Sequence, residues 1–223
     1  MLIIDSFPVA VAMCVVTMLC WGSWANMQKL AGRAWPFQLY YWDYSLGVLL
    51  LAVLSAFTCG SLGTAGRPFL ADLAQADRSA VWSAFLGGAI FNLSNILLVA
   101  AIVVFSAGLF LSSFLWNTLV MVRPFQGEPV AVREYFAGSP WVHFVGILGG
   151  VIWNIGMSLS ILASDKAGPA VSYGLGQGAT MVAAFWGVFV WREFASAPAG
   201  TGRLLALMFV LYGAGLTLLI AAR

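Results

Sequence analysis

The sequence has very few charged side chains. Only 8% of its 223 residues are Asp, Glu, Lys or Arg, whereas 62% are hydrophobic. A soluble domain carries roughly 25% charged residues, so this composition excludes a soluble fold. The chain is predicted to be an all-α, polytopic helical protein, integral to the plasma (inner) membrane.

Groups that catalyse reactions or hold metals are also scarce. The chain has one histidine and three cysteines, without CxxC or HExxH spacing and without two aspartates in its apolar segments. Acid–base and nucleophilic catalysis therefore lack their groups. We expect no enzyme activity, cofactor or metal, and we interpret His143, at the mouth of an apolar segment, as an interface residue. The net charge is +2 and the basic residues are scattered, so no nucleic-acid partner is expected.

Long apolar runs are what the sequence does contain. A span needs about 20 mostly apolar residues, and six or seven stretches qualify, all expected to be helices because lipid offers the backbone no hydrogen bonds. They lie near 9–28, 39–59, 80–101, 104–122, 142–163, 169–191 and 204–222. We place the first three in an N-terminal part-repeat, 1–103, and the last four in a C-terminal part-repeat, 104–223, of one membrane domain.

Residues 80–122 contain no charge and no obvious turn. As one helix they would be about 64 Å long, twice the hydrocarbon core of about 30 Å. The sequence therefore predicts a break near Ile102 to Gly108.

One short pattern occurs twice. Residues 86–92 read LGGAIFN and residues 148–154 read LGGVIWN, and each follows an Arg-Pro-Phe triplet, at 67–69 and 123–125. Hydrophobic repeats are typical of transporters whose substrate site lies between related halves. A duplicated hairpin without a cavity is the alternative.

Each copy carries amide side chains on an apolar helix. Asn92 and Asn95 share a face with Gly88, and Asn154 occupies the corresponding position of the second copy, between Gly150 and Ser158. Such faces either join helices through close approach and hydrogen bonds or line a site for a hydrogen-bonding solute. The repeat favours the second interpretation.

Asp43 is the acidic residue that fits least well in a loop, because it lies just inside the second apolar run. One interpretation is a charge near a helix N-terminus, stabilised by the dipole and wetted by headgroups. The other is a partner for an ion or solute in a water-filled cavity. The sequence leaves both open.

Other candidate solute contacts lie in the first and sixth runs. The glycines at 174, 176 and 178 follow no strand, so they favour a flexible or closely packed part of a helix over a phosphate loop. Trp21 and Trp24 also fit an interfacial aromatic belt. The candidates in these two runs are Trp21, Trp24, Asn26, Tyr173, Gln177 and Thr180.

Several segments resemble a known family. The segments are WGSW with QKLAG, WDYS, GGAIFNLSN, and GGVIWN followed by GLGQGATMVAAFWGVFVWREF. They are similar to the ureide permease-like branch of the drug/metabolite transporter superfamily, close to the glucose/ribose porters. The resemblance covers most of the chain and is strongest in the last 90 residues.

The resemblance implies a carrier of small polar solutes built from two inverted five-span halves. The chain departs from that pattern after about Ala101, where the next family-like feature resembles the seventh of ten spans, so about three central spans are missing. The expected function is secondary transport of a sugar, ureide or nucleobase by alternating access. The alternative is a non-transporting, shortened remnant that pairs with itself or with a full-length relative.

The expected partners follow from this function. They are a small solute and the lipid bilayer. Further candidates are a coupling ion, either a proton or sodium, and a second copy of the chain in a homodimer.

Topology is predicted from the Lys and Arg positions. Seven crossings with the amino terminus outside leave four of these residues inside and six outside, the reverse of the positive-inside tendency. A single crossing by residues 80–122, as one span plus a partial or interfacial helix, gives six inside and four outside. Inverting the seven-crossing arrangement gives the same score but places Lys29 outside. We predict the single crossing, a strained junction at 101–108, and the two repeat copies facing each other across one cleft.

Overall fold

A computed structural model describes residues 4–32, 35–62, 67–89, 100–124 and 128–221, and side chains in these ranges except at 87–89 and 100–105. Every regular element within these ranges is a helix, which confirms the predicted all-α membrane fold. The helices are α1 (Phe7–Ser23), α2 (Met27–Ala31), α3 (Phe37–Phe57), α4 (Phe69–Gln75), α5 (Arg78–Ala89), α6 (Ala100–Val122), α7 (Val132–Phe136), α8 (Pro140–Ala167), α9 (Pro169–Gln177), α10 (Ala179–Phe185) and α11 (Thr201–Ala221). A 3₁₀ turn, Trp24–Asn26, joins α1 to α2, and a π-helical segment, Trp186–Val190, extends α10.

Among the described residues, four helical stretches are long and apolar enough to cross a membrane. They are Phe7–Ala31, Phe37–Phe57, Pro140–Ala167 and Thr201–Ala221. Helix α6 has 23 residues, about 34 Å at 1.5 Å per residue, and its described apolar part is Ser106–Val122. By contrast, α5 has 12 residues, fewer than the roughly 20 that a membrane span needs.

The packing divides the chain into two compact units. Among the described residues, those within 27–154 form unit 1, and residues 4–26 and 155–221 form unit 2. This grouping follows packing, whereas the division expected at residue 103 followed the repeat copies.

In unit 1, α3 and α8 approach closely because glycines line their contact. A side-chain carbon at Gly47 would collide with the backbone of Ile147, and one at Gly150 would collide with the carbonyl oxygen of Tyr44. Small residues of this kind let membrane helices pack backbone to backbone. Both helices begin at the same end of the unit, where the Trp141 indole donates a hydrogen bond to the Leu30 carbonyl oxygen at 3.4 Å.

Helix α6 runs in the opposite direction to α3. Near its end, the Asn117 amide donates to the carbonyl oxygen of Gln38, at the start of α3, at 2.7 Å. Near its beginning, Ser106 accepts a hydrogen bond from Asn154, deep in α8, at 3.4 Å. The chain therefore leaves α3 and enters α6 at the same end of unit 1, which agrees with the predicted single net crossing of residues 80–122.

The break predicted at Ile102 to Gly108 is wrong, because α6 is continuous from Ala100 to Val122. The break was expected from the length of the uncharged run, whereas Gly108, at the end of the predicted range, serves packing. A side-chain carbon there would collide with the carbonyl oxygen of Phe85 on α5. The absence of a side chain thus lets α5 and α6 approach closely.

The single crossing predicts opposite labelling of two loops. Cys59 is exposed just after α3, and Val132 is 56% exposed on α7, beyond the end of α6. We expect a membrane-impermeant maleimide to reach Cys59 from one side of sealed vesicles and Val132→Cys, in a Cys59→Ser background, from the other. Labelling of both from the same side would show that residues 80–122 cross twice.

In unit 2, α1 packs against the C-terminal half of α8 and against α9. Their buried core consists of small and apolar residues, namely Ala10, Cys14, Ala163, Ala167, Val171 and Leu175. The Thr17 hydroxyl donates to the Gly156 carbonyl oxygen at 2.9 Å, and Ser172 donates to the Ser160 carbonyl oxygen at 2.7 Å. Hydroxyls bonded to backbone in this way connect the helices without leaving polar groups unsatisfied in an apolar core.

Candidate functional site: a buried aspartate in unit 1

Asp43 lies in the second turn of α3 and is only 1% exposed. Gly146 of α8 faces it so closely that a side-chain carbon there would collide with the Asp43 Cβ. Burial excludes the interpretation of a carboxylate wetted by headgroups. Because a buried carboxylate is costly unless hydrogen-bonded, its partners define the site.

Two side chains from distant parts of the sequence bind this carboxylate. The Tyr135 hydroxyl, on α7, donates to Oδ1 at 2.5 Å, and His143 Nδ1, on α8, lies 3.0 Å from both carboxylate oxygens. His143 was interpreted from the sequence as an interface residue, whereas its ring contacts the buried acid. With Nδ1 protonated it donates to the carboxylate, and with both nitrogens protonated it forms an ion pair.

Burial, together with the neighbouring carboxylate, raises the pKa of Tyr135. Both effects disfavour a phenolate, because it would be poorly solvated and would repel the charge on Asp43. Tyr135 therefore remains a neutral hydrogen-bond donor throughout the physiological pH range.

Trp35 completes the cluster. Its ring centroid lies 5.1 Å from that of His143 and 6.1 Å from that of Tyr135. Its indole Nε1 is buried and makes no hydrogen bond of acceptable length and angle. We call Trp35, Asp43, Tyr135 and His143 the Asp43 cluster.

The predicted contact Asn154 is also buried in unit 1. It is 0% exposed and bonds Ser106 of α6, and two turns of α8, about 12 Å, separate it from Gly146 beside Asp43. Asn92 and Asn95 lie outside the described residues, as do residues 90 and 91 of the first repeat copy. The predicted facing of the two copies therefore stays a prediction.

The tryptophans and the asparagine at the end of α1 lie in unit 2. Trp21 packs against Gly156 and Gly176, where a side-chain carbon at either glycine would overlap its ring. Asn26 is buried, donates to the Gly22 carbonyl oxygen at 3.2 Å and accepts from the Trp191 indole at 2.8 Å. Trp24 is half-buried in the 3₁₀ turn.

The candidates of the sixth run are at the surface of unit 2. Tyr173, Gln177 and Thr180 are exposed, and Thr180 donates to the Tyr212 hydroxyl at 2.7 Å. The glycines of this run serve packing, as predicted: Gly176 faces Trp21, and Gly178 faces Met18. The structure does not bring the three polar side chains into a buried site.

Sequence reasoning missed Trp35, Tyr135 and His143 as members of the site. The available signal was the requirement of a buried Asp43 for donors, combined with the short VREYF segment between two apolar runs. Within a single sequence, nothing specifies which of the scattered donors reaches the acid.

A buried acid within apolar, membrane-length helices defines the broad class, which is a helical integral membrane protein. Comparison with known proteins adds a partial relationship to permeases. Ureide permease 1 and Ureide permease 2 of Arabidopsis thaliana are each 33% identical to this chain, over 97 and 101 residues. Each alignment covers 43% of this chain and 25% of the relative. No protein-family profile and no solved structure matches the chain.

Proposed function

We propose that this chain is a secondary transporter for a small polar solute, with the Asp43 cluster as its functional centre. The observation that carries the proposal is a carboxylate 1% exposed in a membrane helix and bonded to Tyr135 and His143. Intramembrane acids are costly and mark ion or substrate pathways in membrane proteins. The partial likeness to two ureide permeases supports the same class.

The proposed solute is a sugar, a ureide or a nucleobase, and Asn154 is its proposed amide contact in unit 1. Asp43 is the proposed site of coupling to a proton or sodium ion, because a carboxylate is the group in the cluster that can bind either cation. The remaining sequence candidates, Trp21, Trp24, Asn26, Asn92, Asn95, Tyr173, Gln177 and Thr180, stay proposals.

Uptake by purified protein in liposomes tests this function. Radiolabelled glucose, allantoin and uracil are each offered without a gradient, with an inward proton gradient and with an inward sodium gradient. We expect one solute class to accumulate above empty liposomes, and one gradient to increase its accumulation. Uptake equal to that of empty liposomes for every solute would contradict active transport by this chain.

A non-transporting interaction protein is the second candidate. It is favoured by the coverage of the relatives, because the chain aligns with only 25% of each. Crosslinking in native membranes distinguishes the two, since an interaction protein would be recovered mainly as a complex with a second copy or a full-length relative. A genomic reading frame that encodes further spans around codons 100–105 would identify the chain as a deletion product.

A further inference from the structure

Helix α7 is held on unit 1 through one of its own side chains. It has five residues, Val132–Phe136, and four of them are exposed, Phe136 by 79%. Tyr135 is the exception, since it is half-buried, stacks edge-on against His143 at 4.7 Å and bonds Asp43. A five-residue helix has little stability of its own, so its position depends on this anchor and on the Val130 N–H, which donates to the Met121 carbonyl oxygen of α6 at 3.0 Å just before α7 begins.

The same cluster contains a donor that is not used. Trp35 is 6% exposed and its Nε1 is buried without a hydrogen bond. Buried donors are almost always paired, and an exception calls for an explanation. Here the unused donor belongs to an indole ring that lies 5.1 Å from His143 and 6.1 Å from Tyr135, the two side chains that bond the carboxylate.

We propose that α7 is a gate over Asp43, closed by the Tyr135 hydrogen bond, and that the Trp35 indole replaces the Tyr135 hydroxyl when the gate opens. This exchange keeps the carboxylate hydrogen-bonded in both states, so opening does not leave a buried charge without a donor. His143, on the 28-residue helix α8, bonds the carboxylate in both states. The inference rests on the proposed function and names the moving part of its site.

The connection between α7 and α8 fits such a movement. Gly138 packs directly over Trp35, since a side-chain carbon there would collide with the indole ring and approach His143 Nε2. A displacement of α7 about residues 137–139 therefore alters the surroundings of Trp35 directly. The close contact makes the indole the side chain best placed to respond.

Hydrogen–deuterium exchange of the full chain in lipid nanodiscs, without solute, tests the gate. In Tyr135→Phe, which removes only the hydroxyl, we expect the hydrogen-bonded amides of α7 and the residues just after it, 134–138, to exchange about tenfold faster than in the wild type. The amides of α4 serve as an internal reference and should be unchanged. The matched control is Tyr173→Phe, the same substitution at an exposed tyrosine, and it should leave α7 exchange as it is in the wild type.

Trp35→Phe distinguishes the donor exchange from simple packing, because the two predict opposite signs. If the indole stabilises the open state, the substitution slows exchange of α7. If Trp35 only supports α7 by packing, the substitution accelerates it, and the donor exchange is wrong. Equal α7 exchange in Tyr135→Phe and the wild type would overturn the gate itself.

These results are independent of the uptake assay. Faster α7 exchange in a chain that transports nothing would support the gate and contradict the transporter. Uptake by the wild type, together with unchanged α7 exchange in Tyr135→Phe, would support the transporter and contradict the gate.

Discussion

Asp43→Asn is expected to reduce solute uptake by about 100-fold while leaving the amount of folded protein unchanged. The amide keeps the size of the side chain, but it can neither exchange a proton nor attract a sodium ion by charge, so the proposed coupling to either cation is lost. A 100-fold lower rate corresponds to about 2.7 kcal/mol, since each 1.4 kcal/mol is about tenfold in rate. Initial uptake rates in liposomes containing equal amounts of protein measure the effect.

Asp165→Asn is the matched control, because Asp165 is exposed near the end of α8. It carries the same substitution away from the cluster and should retain wild-type uptake. If Asp43→Asn also transports at the wild-type rate, Asp43 is a structural residue and the proposed centre of the transporter is wrong.

Gly150→Val is expected to produce the largest loss of stability. The first side-chain carbon would overlap the Tyr44 carbonyl oxygen and approach the Val48 nitrogen at 2.7 Å, and these backbone atoms are fixed by the hydrogen bonds of α3. Overpacking typically lowers the free energy of unfolding by about 1–3 kcal/mol. Because the new side chain would meet backbone rather than a flexible side chain, we expect a loss of about 3 kcal/mol or more here. At roughly 2–4 °C per kcal/mol for a chain of this size, the melting temperature should fall by about 10 °C.

Thermal unfolding of the purified protein in detergent, followed by size-exclusion chromatography after heating, measures this loss. Gly213→Val in α11 is the control, since nothing lies within 4 Å of a side-chain carbon at that glycine. Equal melting temperatures for the two variants would mean that the close contact of α3 and α8 is not needed for the stability of unit 1.

The sequence was sufficient for the class of fold. In lipid, backbone N–H and C=O groups must hydrogen-bond to one another because no water is present. A chain that is 62% hydrophobic therefore has to form apolar helices. For the same reason Asp43 could be singled out, because an acid in such a helix needs a special environment wherever it lies. The positions of the long helices followed from local composition, and α3 begins and ends within about two residues of its predicted bounds.

The sequence misled where one residue type has two uses. Gly108 in an uncharged apolar run fits both a turn and a close helix contact, and only the packing of α5 on α6 distinguishes them. His143 fits both an interface and a buried ion partner, and the distinction depends on the position of α3 beside α8.

Tertiary structure alone decided the partners of Asp43. Tyr135 and His143 are separated from it by 92 and 100 residues, and they reach it because the glycine contacts bring α3 and α8 together while α6 returns the chain to the end where both begin. No local sequence pattern predicts that Tyr135 and His143 contact Asp43. The contact results from the packing of whole helices, in which the backbone approach allowed at Gly47, Gly146 and Gly150 determines which side chains can touch the buried acid.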